Sequence, residues 1–178
     1  MMRVVTLVGQ MGAGKSTVAR LLAARWAAQG FRAVDLDDAI VARAGRSIPD
    51  IFTSDGEGAF RALERAVLDD VLAQRGVILA TGGGAPCQPG AMDAILAAGP
   101  AVWLDAAPEV LAARAVAGGG RPLLAGRDLA GAAAFLASQR AEREPDYLRA
   151  TCIVDATAPA DAVAATIAAL LPPELPWP

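Results

Sequence analysis

The 178-residue chain has no histidine and a single lysine, Lys15, its other basic residues all being arginine. Without an imidazole there is no histidine general base, no histidine metal ligand and no Ser-His triad, so proton chemistry falls to carboxylates, the lysine or a tyrosine. Cysteine is almost as scarce. Cys87 and Cys152 lack the paired spacing of a zinc site or a disulfide framework and read as reduced, buried packing residues. No apolar run reaches transmembrane length, and the chain enters a glycine loop at residue 9, too early for a signal peptide. A cytoplasmic location with no membrane partner is therefore expected. Positive charge is not in excess either: a formal net charge of −3 removes any general attraction to nucleic acid. An anion bound by this chain must be captured by a local site.

What the chain does have is 54% apolar and 20% charged residues, enough at this length for one compact domain. Alanine-rich helical stretches alternate with short β-branched runs, the pattern of a parallel sheet covered by helices on both faces. Strands are predicted at 3–8, 32–37, 77–81, 101–105 and 152–156, and helices at 15–28, 38–45, 57–74, 89–98, 108–116, 128–143 and 159–171. The fold class is α/β, a three-layer arrangement around five parallel strands. Within 115–128, three consecutive glycines predict a mobile loop. A single domain over 1–171 is expected, followed by a proline-rich surface tail at 172–178. No heptad or apolar interface stripe stands out, so a monomer is expected.

Gly9, Gly14, Lys15 and Ser16 satisfy G-x-x-x-x-G-K-[ST], directly after a predicted strand and at the start of a predicted helix. In that context the glycines let backbone N–H groups curl around phosphate oxygens, the helix N-terminus adds its positive end, and the Ser16 hydroxyl is placed for Mg²⁺. The lone lysine is explained by this setting. Its compact charge on a thin stem enters a narrow loop that arginine's planar fork does not suit. The donor is thus a nucleoside triphosphate, and the acceptor is left to downstream residues.

"DLDD" at 35–38 ends the second predicted strand, where ligands of open α/β sheets bind. If the strand continues, Asp35 and Asp37 share one face, where one could hold a Mg²⁺ water while the other faces an acceptor hydroxyl. Helix N-capping is the simpler role for Asp37 or Asp38. Arg61 and Glu64, three apart, share a helical face. "ATGGGAP" at 80–86 ends the third strand with Gly82, Gly83 and Gly84, which permit close backbone approach to a ligand. Arg114 and Arg121 bracket the glycine loop, and Arg140 and Arg143 end the helix before "EPDY".

Taken in order, "GQMGAGKST", "DLD", "DIF" with "DGEGAFRALE", "ILATGGG", "GGGRPLL" and "REPDY" resemble the shikimate kinases over residues 3 to about 156. The resemblance implies a P-loop NTPase fold of the nucleoside-monophosphate-kinase type with a mobile lid, and Mg-dependent transfer of the ATP γ-phosphate to the 3-hydroxyl of shikimate in aromatic amino-acid biosynthesis. By the same resemblance Gly12, Ala13, Gly14, Lys15, Ser16 and Thr17 hold the phosphates, Ser16 ligates Mg²⁺, and Asp35 supports it through water. Asp37 orients or deprotonates the attacking hydroxyl. Arg61 and Arg143 clamp the shikimate carboxylate, with Gly82, Gly83 and Gly84 along the substrate. Arg121 closes on the lid, and Arg114 sits against the adenine. Arg140 is a neighbouring candidate for the carboxylate, but Arg143 keeps the spacing to Pro145 and Tyr147. Two other readings share the P-loop: a kinase of another small metabolite such as gluconate, and a nucleotide-binding module without catalysis.

Overall fold

The computed structural model describes residues 4–118, 124 and 126–173. Val4–Val8 (β1) is a run of apolar and β-branched residues, every one buried, as a strand covered on both faces requires. It leads through the glycine loop into Lys15–Arg25 (α1), then Arg32–Asp35 (β2), Leu36–Ala44 (α2) and Ile48–Leu72 (α3). Val77–Ala80 (β3), Ala91–Ala98 (α4), Ala101–Asp105 (β4) and Pro108–Ala117 (α5) follow. Leu129–Tyr147 (α6), Cys152–Asp155 (β5) and Ala160–Leu170 (α7) end the sequence of elements. All strand pairs are parallel, and the order is β2-β3-β1-β4-β5.

Alternation along the strands divides the core in two. Val5, Leu7, Ile78, Val102 and Leu104 point to a cluster completed by α1, α5, α6 and α7. Val4, Val77, Leu79 and Ala101 point to the other, completed by α2, α3 and α4. The chain leaving β1 turns to the first face and the chain leaving its neighbour β3 turns to the second. A crevice opens where adjacent strands send their connections apart, and it is here that open α/β sheets bind ligands.

Several boundaries differ from the sequence reading. Strand β2 stops at Asp35, whose side chain caps α2 by accepting from the Asp37 N–H at 3.0 Å. Asp35 and Asp37 are thus not two residues of one strand face, and the capping residue is Asp35 rather than Asp37 or Asp38. Helical structure begins at Ile48, well before the expected residue 57, because Ser47 caps it and Pro49 suits its first turn. Gly56, at φ 80° and ψ 172°, interrupts that helix and separates the two segments. Helix α6 runs past 143 with Pro145 inside it, and burial of Tyr147 accounts for the extra turn. Both cysteines are free but only half-buried, short of the full burial expected. Of the glycine loop expected at 115–128, Ala115–Ala117 are helical, while 119–123 and 125 lie outside the described residues, as does 174–178 of the tail. No helix among the described residues is long and apolar enough to cross a membrane.

Candidate active site

The loop from β1 to α1 is shaped by its glycines. Gly12 has φ +83°, and a Cβ there would lie 2.4 Å from the Leu111 carbonyl oxygen on α5. Any side chain would therefore push the loop off its support. Lys15 opens α1 and is buried; its Nζ donates to the carbonyls of Gly9 at 2.7 Å and Gln10 at 2.8 Å. The ammonium lies folded across the loop that it serves. Beside it a cleft of about 240 Å³ is lined by Gly12, Gly14, Thr17, Arg114, Pro159 and Val163. Arg114 is held at its wall by donating to the carbonyls of Ala156 at 2.5 Å and Thr157 at 2.7 Å.

On the other side of α1, the Ser16 hydroxyl donates to Asp35 Oδ2 at 2.5 Å. The cap that Asp35 places on α2 brings Asp37 into the first helical turn, facing Gly82: a Cβ on Gly82 would lie 3.3 Å from Asp37 Oδ1 and 3.3 Å from Glu64 Oε1. Burial, then the neighbouring carboxylates of Asp35 and Glu64, push the Asp37 carboxyl above its ordinary value, with Lys15 opposing.

The acceptor side is built on Glu64, which is only 2% exposed. Its Oε2 accepts from Arg61 Nη1 at 2.7 Å and from Gln88 Nε2 at 2.6 Å. A buried carboxylate needs such partners, and in return it fixes the guanidinium. Arg61 also lies 5.2 Å from the Phe60 ring centroid and reaches Gly84, where a Cβ would be 3.2 Å from Nη1. Arg143 comes from α6 to the same turn: a Cβ on Gly83 would stand 2.6 Å from its Nη1. Side chains at 82–84 would fill the space that these groups share. Arg140 points elsewhere. It grips Asp105 through both terminal guanidinium nitrogens, Nη1 at 2.8 Å and Nη2 at 2.9 Å, and covers Trp103.

The structure thus gathers Lys15, Ser16, Asp35, Asp37, Arg61, Gly82, Gly83, Gly84 and Arg143 around one crevice, with Arg114 at its outer cleft. Arg121 lies outside the described residues. Gln88 was not singled out in the sequence, since it sits in an irregular turn where neither period nor motif marks it. The N-cap signal Ser47-x-x-Asp50 was present for the early start of α3.

A phosphate loop beside a hydroxyl-carboxylate corner, facing a turn flanked by two arginines, defines a P-loop kinase that acts on a small anionic acceptor. The family profile described as Shikimate kinase matches residues 11–172. The chain is 45% identical over 148 residues to the shikimate kinase of Halorhodospira halophila (strain DSM 244 / SL1), an alignment spanning 83% of this chain and 80% of that one. Its fold superposes on the crystal structure of shikimate kinase from Bacteroides thetaiotaomicron with a TM-score of 0.89 at 32% identity, covering 96% of this chain and 99% of the other. Shikimate kinase from Acinetobacter baumannii in complex with shikimate gives 0.86 at 31% identity, covering 99% and 97%. The chain belongs to the shikimate kinase family, and is an ATP-dependent kinase.

Proposed function

We propose that this chain transfers the γ-phosphoryl group of MgATP to the 3-hydroxyl of shikimate, giving shikimate 3-phosphate and ADP. The observation that carries this reading is the convergence of Arg61, Arg143 and the Gly82–Gly84 turn beside Asp37. A polyol acid with one carboxylate suits two guanidinium groups, because each can meet carboxylate oxygens with paired N–H donors.

The roles follow from placement. Amides of Gly12, Ala13 and Gly14 with Lys15 take the phosphates, Thr17 and Arg114 flank the adenine cleft, and Asp37 orients or deprotonates the hydroxyl. Arg121 lies outside the described residues, and the family resemblance alone gives it the role of neutralising developing charge. Ser16 and Asp35 fit a magnesium ion by chemistry: a hydroxyl and a carboxylate are hard oxygen donors, few enough to leave room for water and phosphate. Bound there, magnesium neutralises and orients the phosphate oxygens.

ADP release is expected to rise strongly when shikimate is added to enzyme and MgATP, and not when gluconate or quinate is added. Equal stimulation by gluconate would favour another metabolite kinase, and no stimulation by any of the three would favour a non-catalytic module. Arg143→Ala is expected to raise the shikimate KM by about ten- to a hundredfold, the worth of a charged hydrogen-bonded contact. Arg140→Ala should leave that KM within about threefold, since Arg140 is committed to Asp105. Steady-state kinetics on both variants checks the pair; the opposite ranking would transfer the carboxylate to Arg140.

A further inference from the structure

We propose that Tyr147 is a positioning residue for the acceptor, acting through the Gly83–Gly84 peptide and Arg143; the inference rests on the shikimate reading above. Tyr147 is completely buried near the end of α6, its ring tilted against Trp103 with centroids 5.5 Å apart. Its hydroxyl donates to the Gly83 carbonyl at 2.7 Å. That bond acts on more than the carbonyl. In a trans peptide the C=O and the following N–H point in opposite directions, so holding Gly83 O toward α6 aims the Gly84 N–H away from it. Gly84 is the glycine beside Arg61, and its N–H has no acceptor among the described residues. An amide donor without a partner on a partly buried glycine, next to a guanidinium, is a donor available to an oxygen-rich ligand.

The turn needs an external hold. Three successive glycines have no side chains to fix their peptide planes, and the turn's own bonds, Ala85 N–H to Gly82 O at 3.3 Å and Cys87 N–H to Gly84 O at 3.1 Å, leave the Gly83 carbonyl only a long, weak contact from the Cys87 thiol at 3.9 Å. Tyr147 takes that carbonyl. One helical turn earlier on α6 stands Arg143, whose guanidinium is close enough to the phenol to oppose the rise that burial imposes on its pKa. The i, i+4 spacing therefore puts a charge and a hydroxyl from one helix on one glycine turn. The ring's packing on Trp103 anchors both to β4.

Tyr147→Phe removes the hydroxyl and keeps the ring. The shikimate KM is expected to rise about three- to tenfold, the worth of one neutral hydrogen bond. The ATP KM should stay near wild type, and the thermal midpoint should fall by no more than a few degrees, the worth of one buried hydrogen bond. An unchanged shikimate KM, or equal rises in both KM values, would overturn the proposal. Should the variant fold poorly, the wild-type Gly84 amide resonance decides: it is expected to shift when shikimate is added without nucleotide, and a stationary resonance counts against the inference. Wild-type enzyme that does not turn over shikimate would instead defeat the functional reading itself.

Discussion

Lys15→Ala is expected to lower kcat by about 10² to 10³-fold, the loss measured when one preorganised donor to a developing anion is removed. Lys15 is the only lysine in the chain, and in the structure its ammonium is buried and held by the carbonyls of Gly9 and Gln10. Those two bonds keep the charge within the loop that takes the phosphates, where it faces their oxygens in place of water. Arginine should not restore the rate. Its fork spreads donors across a plane, while the loop is closed around a thin stem by Gly12 pressed on Leu111. Single-turnover kinetics of Lys15→Ala and Lys15→Arg with saturating MgATP and shikimate provides the check, and a rate within threefold of wild type in either would refute the corresponding claim.

Asp37→Asn is expected to reduce kcat by about 10² to 10⁴-fold, the range for loss of a positioned general base, with a small change in ATP affinity. The same substitution should make the protein more stable at neutral pH. Burial and the carboxylates of Asp35 and Glu64 raise the Asp37 pKa in the folded state, which means that its charged form is disfavoured by folding. The sign follows from linkage. A raised folded pKa favours the folded state fully below the unfolded value of 3.8, and that advantage is lost as pH rises through the folded value. Asparagine carries no such penalty, so its thermal midpoint should exceed wild type at pH 7 and the gap should close toward pH 4. In wild type the acid limb of kcat/KM should fall with unit slope at a pH above that of an ordinary aspartate. Thermal scans and a pH-rate profile read both effects; a variant less stable than wild type at pH 7 would contradict the charge argument.

The central strands β1, β3 and β4 were legible because they are buried on both faces and so written as short apolar runs, as in "VVTLV" and "AVWLD", while the partly exposed edge strands β2 and β5 carry polar residues. Helix starts and stops were less so. The first half of α3 escaped because a reading that stops at Gly56 sees a helix start at Glu57, while the chain bends through the glycine and keeps the helix on both sides. The end of α6 escaped for the opposite reason: "EPDY" contains a proline, yet burying Tyr147 against Trp103 outweighs the hydrogen bond that Pro145 forgoes. Local rules also misplaced Asp37. A strand drawn through residue 37 sets it beside Asp35, whereas the cap formed by Asp35 turns it into α2 and toward Gly82.

By itself the sequence determined the chemistry on offer: a phosphate loop with one lysine, no imidazole, a pair of aspartates, three glycines in a row and arginines at fixed intervals. These are local features, carried by motif spacing and residue type. Only the tertiary structure decided which arginine faces the glycine turn and which is taken by Asp105, that Glu64 is buried between Arg61 and Gln88, and that Tyr147 holds Gly83 from 64 residues away. Such choices depend on which side chains several elements bring within hydrogen-bond distance, and on the low dielectric that burial supplies. Neither is written in the spacing of residues along one segment.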